Sequence, residues 1–151
     1  MPSITPLLTQ VRQVNWLEEQ QALQCIRRAV FIEEQGVPLD LEWDGEDAHA
    51  IHFLLTDKQN QAIACARLLK SGQIGRMAVM PDYRHSGLGK QLLLYVIDWA
   101  KKQTYPDLFL HAQNHAIPFY ERMGFEVQGQ EFMDANIPHH NMIYVGLHPQ
   151  R

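Results

Sequence analysis

The chain has 151 residues, 46% of them hydrophobic, which suits one domain over residues 1–151 with one core. Its formal charge of -4 comes without any block of lysine or arginine, which argues against a nucleic-acid surface and fits a cationic substrate better. There is no apolar run of about 18 residues and no charged-then-apolar leader, so a cytoplasmic protein without a membrane partner is expected.

In chain order, residues 11–14 predict a first strand. Asn15-x-x-Glu18 has the form of a capping box opening a helix. That helix carries Ala22, Cys25, Ile26, Ala29, Val30 and Ile32 and ends near Gly36-Val37-Pro38. An acidic, loop-like stretch with Asp40, Glu42, Asp44, Glu46 and Asp47 follows. Residues 50–56 and 62–69 flank Asp57-Lys58-Gln59-Asn60 in the pattern of an antiparallel hairpin. Residues 74–80 form a short apolar run bounded by Ser71-Gly72 and Pro81-Asp82, which favours a buried strand. Next, Leu88, Leu92, Leu93, Val96, Ile97 and Ala100 recur at helical spacing and define a helix with one buried face. Residues 108–112 predict a strand and 116–123 a short helix ended by Gly124. Residues 125–133 and 142–147 are two last strands around Asp134-Ala135-Asn136-Ile137-Pro138. This order describes an α+β (mixed α/β) fold, a mixed sheet with helices on its faces. Cys25 and Cys65 lack Cys-x-x-Cys spacing and are expected as buried free thiols.

Between the strand at 74–80 and the amphipathic helix stands Arg84-His85-Ser86-Gly87-Leu88-Gly89. Such a turn aims free backbone N–H groups and the positive helix end at one point, and glycine lets that backbone approach an anion closely. Arg84 adds a charge-assisted donor. The spacing is not that of a Walker loop, which needs glycine where Arg84 stands and Ser or Thr where Gln91 stands. Nor is it Gly-x-Gly-x-x-Gly, which would need glycine at Leu92. Taken alone, the same six residues serve equally as a plain strand-to-helix turn.

A second constellation, Asn114-His115-Ala116-Ile117-Pro118-Phe119-Tyr120-Glu121-Arg122-Met123-Gly124-Phe125, follows the strand at 108–112. With the first, it resembles the GNAT superfamily of acyl-CoA-dependent N-acyltransferases. Arg84, Gly87 and Gly89 meet one motif, and Asn114, Phe119, Tyr120, Gly124 and Phe125 meet the other, in the order the family uses. The resemblance implies a mostly antiparallel sheet of six to seven strands with helices on both faces. It also implies acetyl-CoA as acyl donor, with Met77, Ala78 and Val79 along the pantetheine arm and a backbone N–H near Val79 on the thioester carbonyl. His85, Ser86, Gly87, Leu88, Gly89 and Lys90 would hold the pyrophosphate. Asn114 is implied to contact the cofactor, Phe119 to pack beside it, and Tyr120 to face the sulfur. The strands before the two motifs are implied to splay apart, and members of the family often pair as homodimers.

Moving an acetyl group to a primary amine needs a neutral amine, a stabilised oxyanion and a thiolate that can take a proton. Tyr120 suits the last role. Glu33 and Glu34 are the first candidates to receive the amine proton; His111 and His52 come next, and a water chain serves as well. Acidic residues from Glu33 to Asp47 could line an acceptor mouth and attract amines. His139-His140, next to the expected turn, could touch substrate. No metal is expected, since residues 40–47 lack the pattern of a calcium loop and the eight histidines form no helical His-x-x-x-His pair. The acceptor is expected to be a small molecule rather than a protein. The rival readings are an acyl-CoA-binding sensor with little turnover and a binder of another nucleotide phosphate.

Overall fold

Strands covered on both faces lose the alternation of apolar and polar residues. β2 (Ile51–Asp57) and β3 (Ala62–Leu68) are of this kind, with every residue after the first buried. In the computed structural model, which describes residues 8–146, they are joined by β1 (Thr9–Val14), β4 (Gln73–Val79), β5 (Phe109–Gln113), β6 (Phe125–Asp134) and β7 (Ile137–Tyr144). The seven strands form one sheet in the order β1-β2-β3-β4-β5-β7-β6. Only the β4–β5 pair is parallel.

Helices cover both faces, as the order of elements implies. On one face α1 (Trp16–Arg27), continued by a π-helical segment Arg28–Glu34, packs Leu23, Ile26 and Val30 on Leu54, Cys65 and Ala78. On the other, α3 (Leu88–Lys102) buries Leu88, Leu92, Leu93, Val96, Ile97 and Ala100, the stripe read from the sequence, against Phe53, Ile63 and Ile74. The short α4 (Ile117–Arg122) packs Ile117, Phe119 and Tyr120 on this second core. Asn15 caps α1, its side-chain oxygen accepting the Leu17 N–H at 2.8 Å.

Three expectations need correction. Cys25 is exposed on α1, because the buried face of that helix runs through Leu23, Ile26 and Arg27; only Cys65 is buried. The last strand starts at Ile137 rather than 142, because Ala135 and Asn136 both take left-handed φ (51° and 62°) and close a two-residue hairpin. Pro138 is tolerated there because pairing to β5 begins only at His139. Leu147, the expected end of that strand, lies outside the described residues.

The third correction concerns the acidic stretch, which is neither a free loop nor a free charge. It folds into α2 (Leu39–Glu42) and a short turn, and the carboxylates of Glu42, Asp44 and Asp47 close on arginines from three separate elements. Arg27, only 1% exposed, donates to Glu42 and Asp47 at 2.7 Å each. Arg67 of β3 donates to Asp44 at 2.9 Å and to Asp47 at 3.1 Å, and Arg76 of β4 reaches Asp44 at 3.1 Å. Removing one partner of such a buried cluster strands the others in low dielectric. Arg27→Ala should therefore lower the unfolding free energy by about 3–5 kcal/mol, read by urea denaturation.

The same cluster makes stability acid-sensitive. Burial works against the Asp44 carboxylate, but the bonds from Arg67 and the Glu46 N–H and the charges of Arg67 and Arg76 outweigh it and hold its pKa at about 2. A depressed carboxylate pKa contributes stability above the unfolded value of about 4. That contribution should vanish as pH falls from about 4 to about 2. Asp44→Asn should flatten the fall in unfolding midpoint over that window.

Candidate active site

The centre of the sheet is open. β4 and β5 pair only at Gln73–Phe109 and Ile74–Leu110 and then separate, so the β5-facing edge of β4 beyond Ile74 has no strand partner. On its other side β4 carries an extra residue against β3: Cys65 lies opposite Ala78, but Arg67 lies opposite Gly75. Arg76 in this bulge has φ +48°, a costly conformation for a residue with a Cβ. Its guanidinium anchors the distortion by donating to the carbonyls of Leu41 and Glu42 at 3.0 and 3.1 Å. The notch continues into a cleft of about 430 Å³ bordered by β4, β5, the β6–β7 turn and the segment after α1.

Beyond the tip of β4, a 3₁₀ turn at Pro81–Tyr83 leads into the loop before α3. His85 and Gly87 adopt left-handed φ of 62° and 83°, and no side chain caps α3. Among the described residues, the N–H groups of residues 85–90 have no backbone acceptor. Uncapped donors at the positive end of a 15-residue helix are able to hold an anion. Gly89 lies on its floor, where an added Cβ would stand 3.7 Å from Phe119 Cζ and 3.8 Å from Met77 Cε and Val79 Cγ2. These residues therefore fit a diphosphate with a thin arm running along β4.

Tyr120, from α4, reaches the same place. Its hydroxyl lies 3.8 Å from Met77 Sδ, and its ring packs edge-on against Phe119 and Phe125. Burial pushes the phenol up to about 12, so it is a hydrogen donor throughout the neutral range. Met77, Val79, Gly89, Phe119 and Tyr120, far apart in sequence, thus meet where the strands part.

The other candidate residues are placed differently. Arg84 braces the loop: Nε donates to the Val79 carbonyl at 3.0 Å, and Nη1 and Nη2 grip Glu34 at 2.7 and 2.6 Å. The Arg84 guanidinium holds the Glu34 carboxyl below its ordinary range. Neither Glu33 nor Glu34 borders the cleft. Asn114 is engaged by the last hairpin, donating to Glu131 at 2.6 Å and accepting from His140 Nδ1 at 2.8 Å. His52 is buried against Trp16 with Nε2 on the Asp47 carbonyl at 2.8 Å, and burial lowers its pKa. His111 does border the cleft, edge-on to Phe132, and burial lowers its pKa too. Ser86 Oγ donates to the Tyr83 carbonyl, and His85 and Lys90 are exposed at the rim of the loop.

Of the acidic residues expected at a mouth, Glu42 and Asp44 border the cleft, but both are ion-paired. His139, expected beside a turn, is instead a buried residue of β7 that lines the cleft. Burial pushes the Cys65 thiol up to about 12, which suits a packing residue and not a nucleophile. Among the described residues, no three His, Cys, Asp or Glu side chains are grouped to hold a metal, and no helix is long and apolar enough to cross a membrane.

Comparison with known proteins agrees with this geometry. Residues 18–145 match the family model described as an acetyltransferase (GNAT) domain. The uncharacterized N-acetyltransferase YjcF of Bacillus subtilis (strain 168) is 31% identical over 121 residues, spanning 78% of this chain and 86% of YjcF. The crystal structure of Escherichia coli ElaA has a TM-score of 0.81 at 27% identity, covering 91% of this chain and 99% of that one. That of an acyl-CoA N-acyltransferase from Pseudomonas aeruginosa has a TM-score of 0.78 at 29% identity, covering 92% and 99%.

Proposed function

This chain belongs to the GNAT acetyltransferase family and is an acyltransferase that uses a CoA-linked donor, and we propose that it moves the acetyl group of acetyl-CoA directly to a primary amine within a ternary complex. The observation that carries this reading is the meeting of the uncapped α3 loop, the unpaired edge of β4 and the Tyr120 hydroxyl at one notch. Acetyl-CoA supplies an activated thioester. The N–H groups of residues 85–90 bind its diphosphate, with Gly87 and Gly89 allowing close approach. Met77, Ala78 and Val79 lie along the arm, and a backbone N–H near Val79 stabilises the developing oxyanion, a contribution of roughly 3–4 kcal/mol.

Tyr120 donates to the departing sulfur. A phenol near 12 is a poor acid toward a thiolate in water, where the thiol titrates near 8.5. A buried thiolate is a far stronger base, as Cys65, raised to about 12 inside this same fold, illustrates. Desolvation of the departing sulfur beside the buried phenol raises its proton affinity and narrows the gap between donor and acceptor. Direct transfer is supported by the cysteines: the thiol of Cys65 is suppressed, and Cys25 sits on the outer side of α1, outside the cleft. A cleft of about 430 Å³ suits a small-molecule amine.

Calorimetric titration with acetyl-CoA, ATP and NAD, followed by a panel of primary amines scored for CoA release, tests this reading. Preferential binding of acetyl-CoA and amine-dependent release are expected. Preference for ATP or NAD, or acetyl-CoA binding with no turnover on any amine, would contradict it.

A further inference from the structure

We propose that His139 is the catalytic residue that takes the proton from the acceptor amine, an assignment that rests on the acyl-transfer reading above. Its tautomer is fixed by its neighbour. Nδ1 lies 2.6 Å from the carbonyl oxygen of Ile137, which can only accept, so Nδ1 carries the hydrogen and Nε2 presents a lone pair. His139 is 8% exposed, yet Nε2 has no hydrogen-bond partner among the described residues and is not among the buried unpartnered polar atoms. Since the residue lines the cleft, that lone pair opens into it.

The surroundings hold the ring in place. Phe132 stacks on it with centroids 5.9 Å apart, and pairing of His139 with Gln113 puts it on the sheet face of the cleft. His111, two residues before Gln113 on β5, has the opposite tautomer. Its Nδ1 lies 3.4 Å from the Gln73 amide nitrogen, which can only donate, so His111 carries its hydrogen on Nε2 and its one lone pair, on Nδ1, is already engaged by that amide. The charged and titratable groups facing His139 are His111 from β5, His115 from the following turn and Asp134 from β6. Across the cleft stand Glu42, Asp44, Arg67 and Arg76, which neutralise one another.

The proton account closes. The ammonium form gives one proton to His139 Nε2, and the freed amine nitrogen attacks the thioester carbonyl. A C–N bond forms, the C–S bond breaks with its electron pair on sulfur, and Tyr120 protonates the thiolate. The second amine proton leaves with solvent, which also restores neutral His139 and the phenol.

The test uses the full chain, acetyl-CoA and the primary amine of the panel on which the parent is fastest. His139→Asn keeps a donor for the Ile137 carbonyl and deletes Nε2. It should lower kcat/KM for the amine about 100-fold, with acetyl-CoA affinity and melting temperature held. Partial rescue by added imidazole is expected as well. If the variant stays within about threefold of the parent and added imidazole does not change its rate, His139 is not the base. A parent that releases no CoA with any amine would overturn the acyl-transfer reading and this assignment together, an outcome separate from an active, indifferent variant.

Discussion

Tyr120→Phe is expected to lower kcat about 100- to 1,000-fold while leaving acetyl-CoA affinity within about twofold of the parent. Among the described residues the hydroxyl has only the Met77 sulfur as partner, at 3.8 Å, so removing it breaks no strong hydrogen bond there. The ring contacts with Phe119 and Phe125 remain, and stability should hardly change. What is lost is the donor that meets the sulfur, an interaction needed only as the C–S bond breaks, so the loss should fall on kcat. Steady-state kinetics with a thiol-reactive probe, paired with calorimetric titration, separates the two effects. A variant that turns over like the parent would remove Tyr120 from the chemistry and leave it a packing residue.

Gly89→Val should weaken acetyl-CoA binding by at least about 100-fold and leave the fold standing. A Cβ at this position already reaches van der Waals distance from Phe119, Met77 and Val79. The two further methyl groups of valine would occupy the floor over which the arm must pass and hold the diphosphate away from the α3 N–H groups. Because Gly89 is in the first turn of α3, outside the stripe that packs on the sheet, and its three neighbours are only partly buried at the edge of the core, the buried stripe keeps its packing. Gly87 behaves differently. Space around it is open, but its φ of 83° is unfavourable for any residue with a Cβ, so Gly87→Val should cost about 1–2 kcal/mol of stability as it distorts the loop. Calorimetry and a thermal melt on each variant distinguish the two causes, and parental affinity in Gly89→Val would refute the assigned cradle.

The features legible in the sequence are those whose signal is local. The stripe of α3 is written at helical spacing in one continuous stretch, and the loop before it and the Asn114-to-Phe125 segment are each contiguous. Every one of these has the expected secondary structure. What escaped reading depends on chain segments meeting. Residues 40–47 contain no cation, but Arg27, Arg67 and Arg76 arrive from α1, β3 and β4 and turn an apparent surface loop into a buried ion cluster. Parallel pairing of β4 with β5, and its early end, have no local signature, so the opening of the sheet was available only through family resemblance. Arg84 is committed to Glu34 from a position 50 residues away. His139 was obscured by one turn: with Ala135-Asn136 read as part of a longer loop, the strand began too late and its inward-facing histidine was set beside the turn instead.

Direct transfer from acetyl-CoA to an amine can be followed by mixing the protein with an equimolar amount of acetyl-CoA, first without amine and then with the best amine of the panel. Free CoA and the mass of the intact protein are followed throughout. No CoA release and no acetylated protein are expected in the first phase, then equal amounts of free CoA and N-acetylated amine in the second. Acetylated protein formed with one equivalent of CoA before any amine is added would contradict direct transfer.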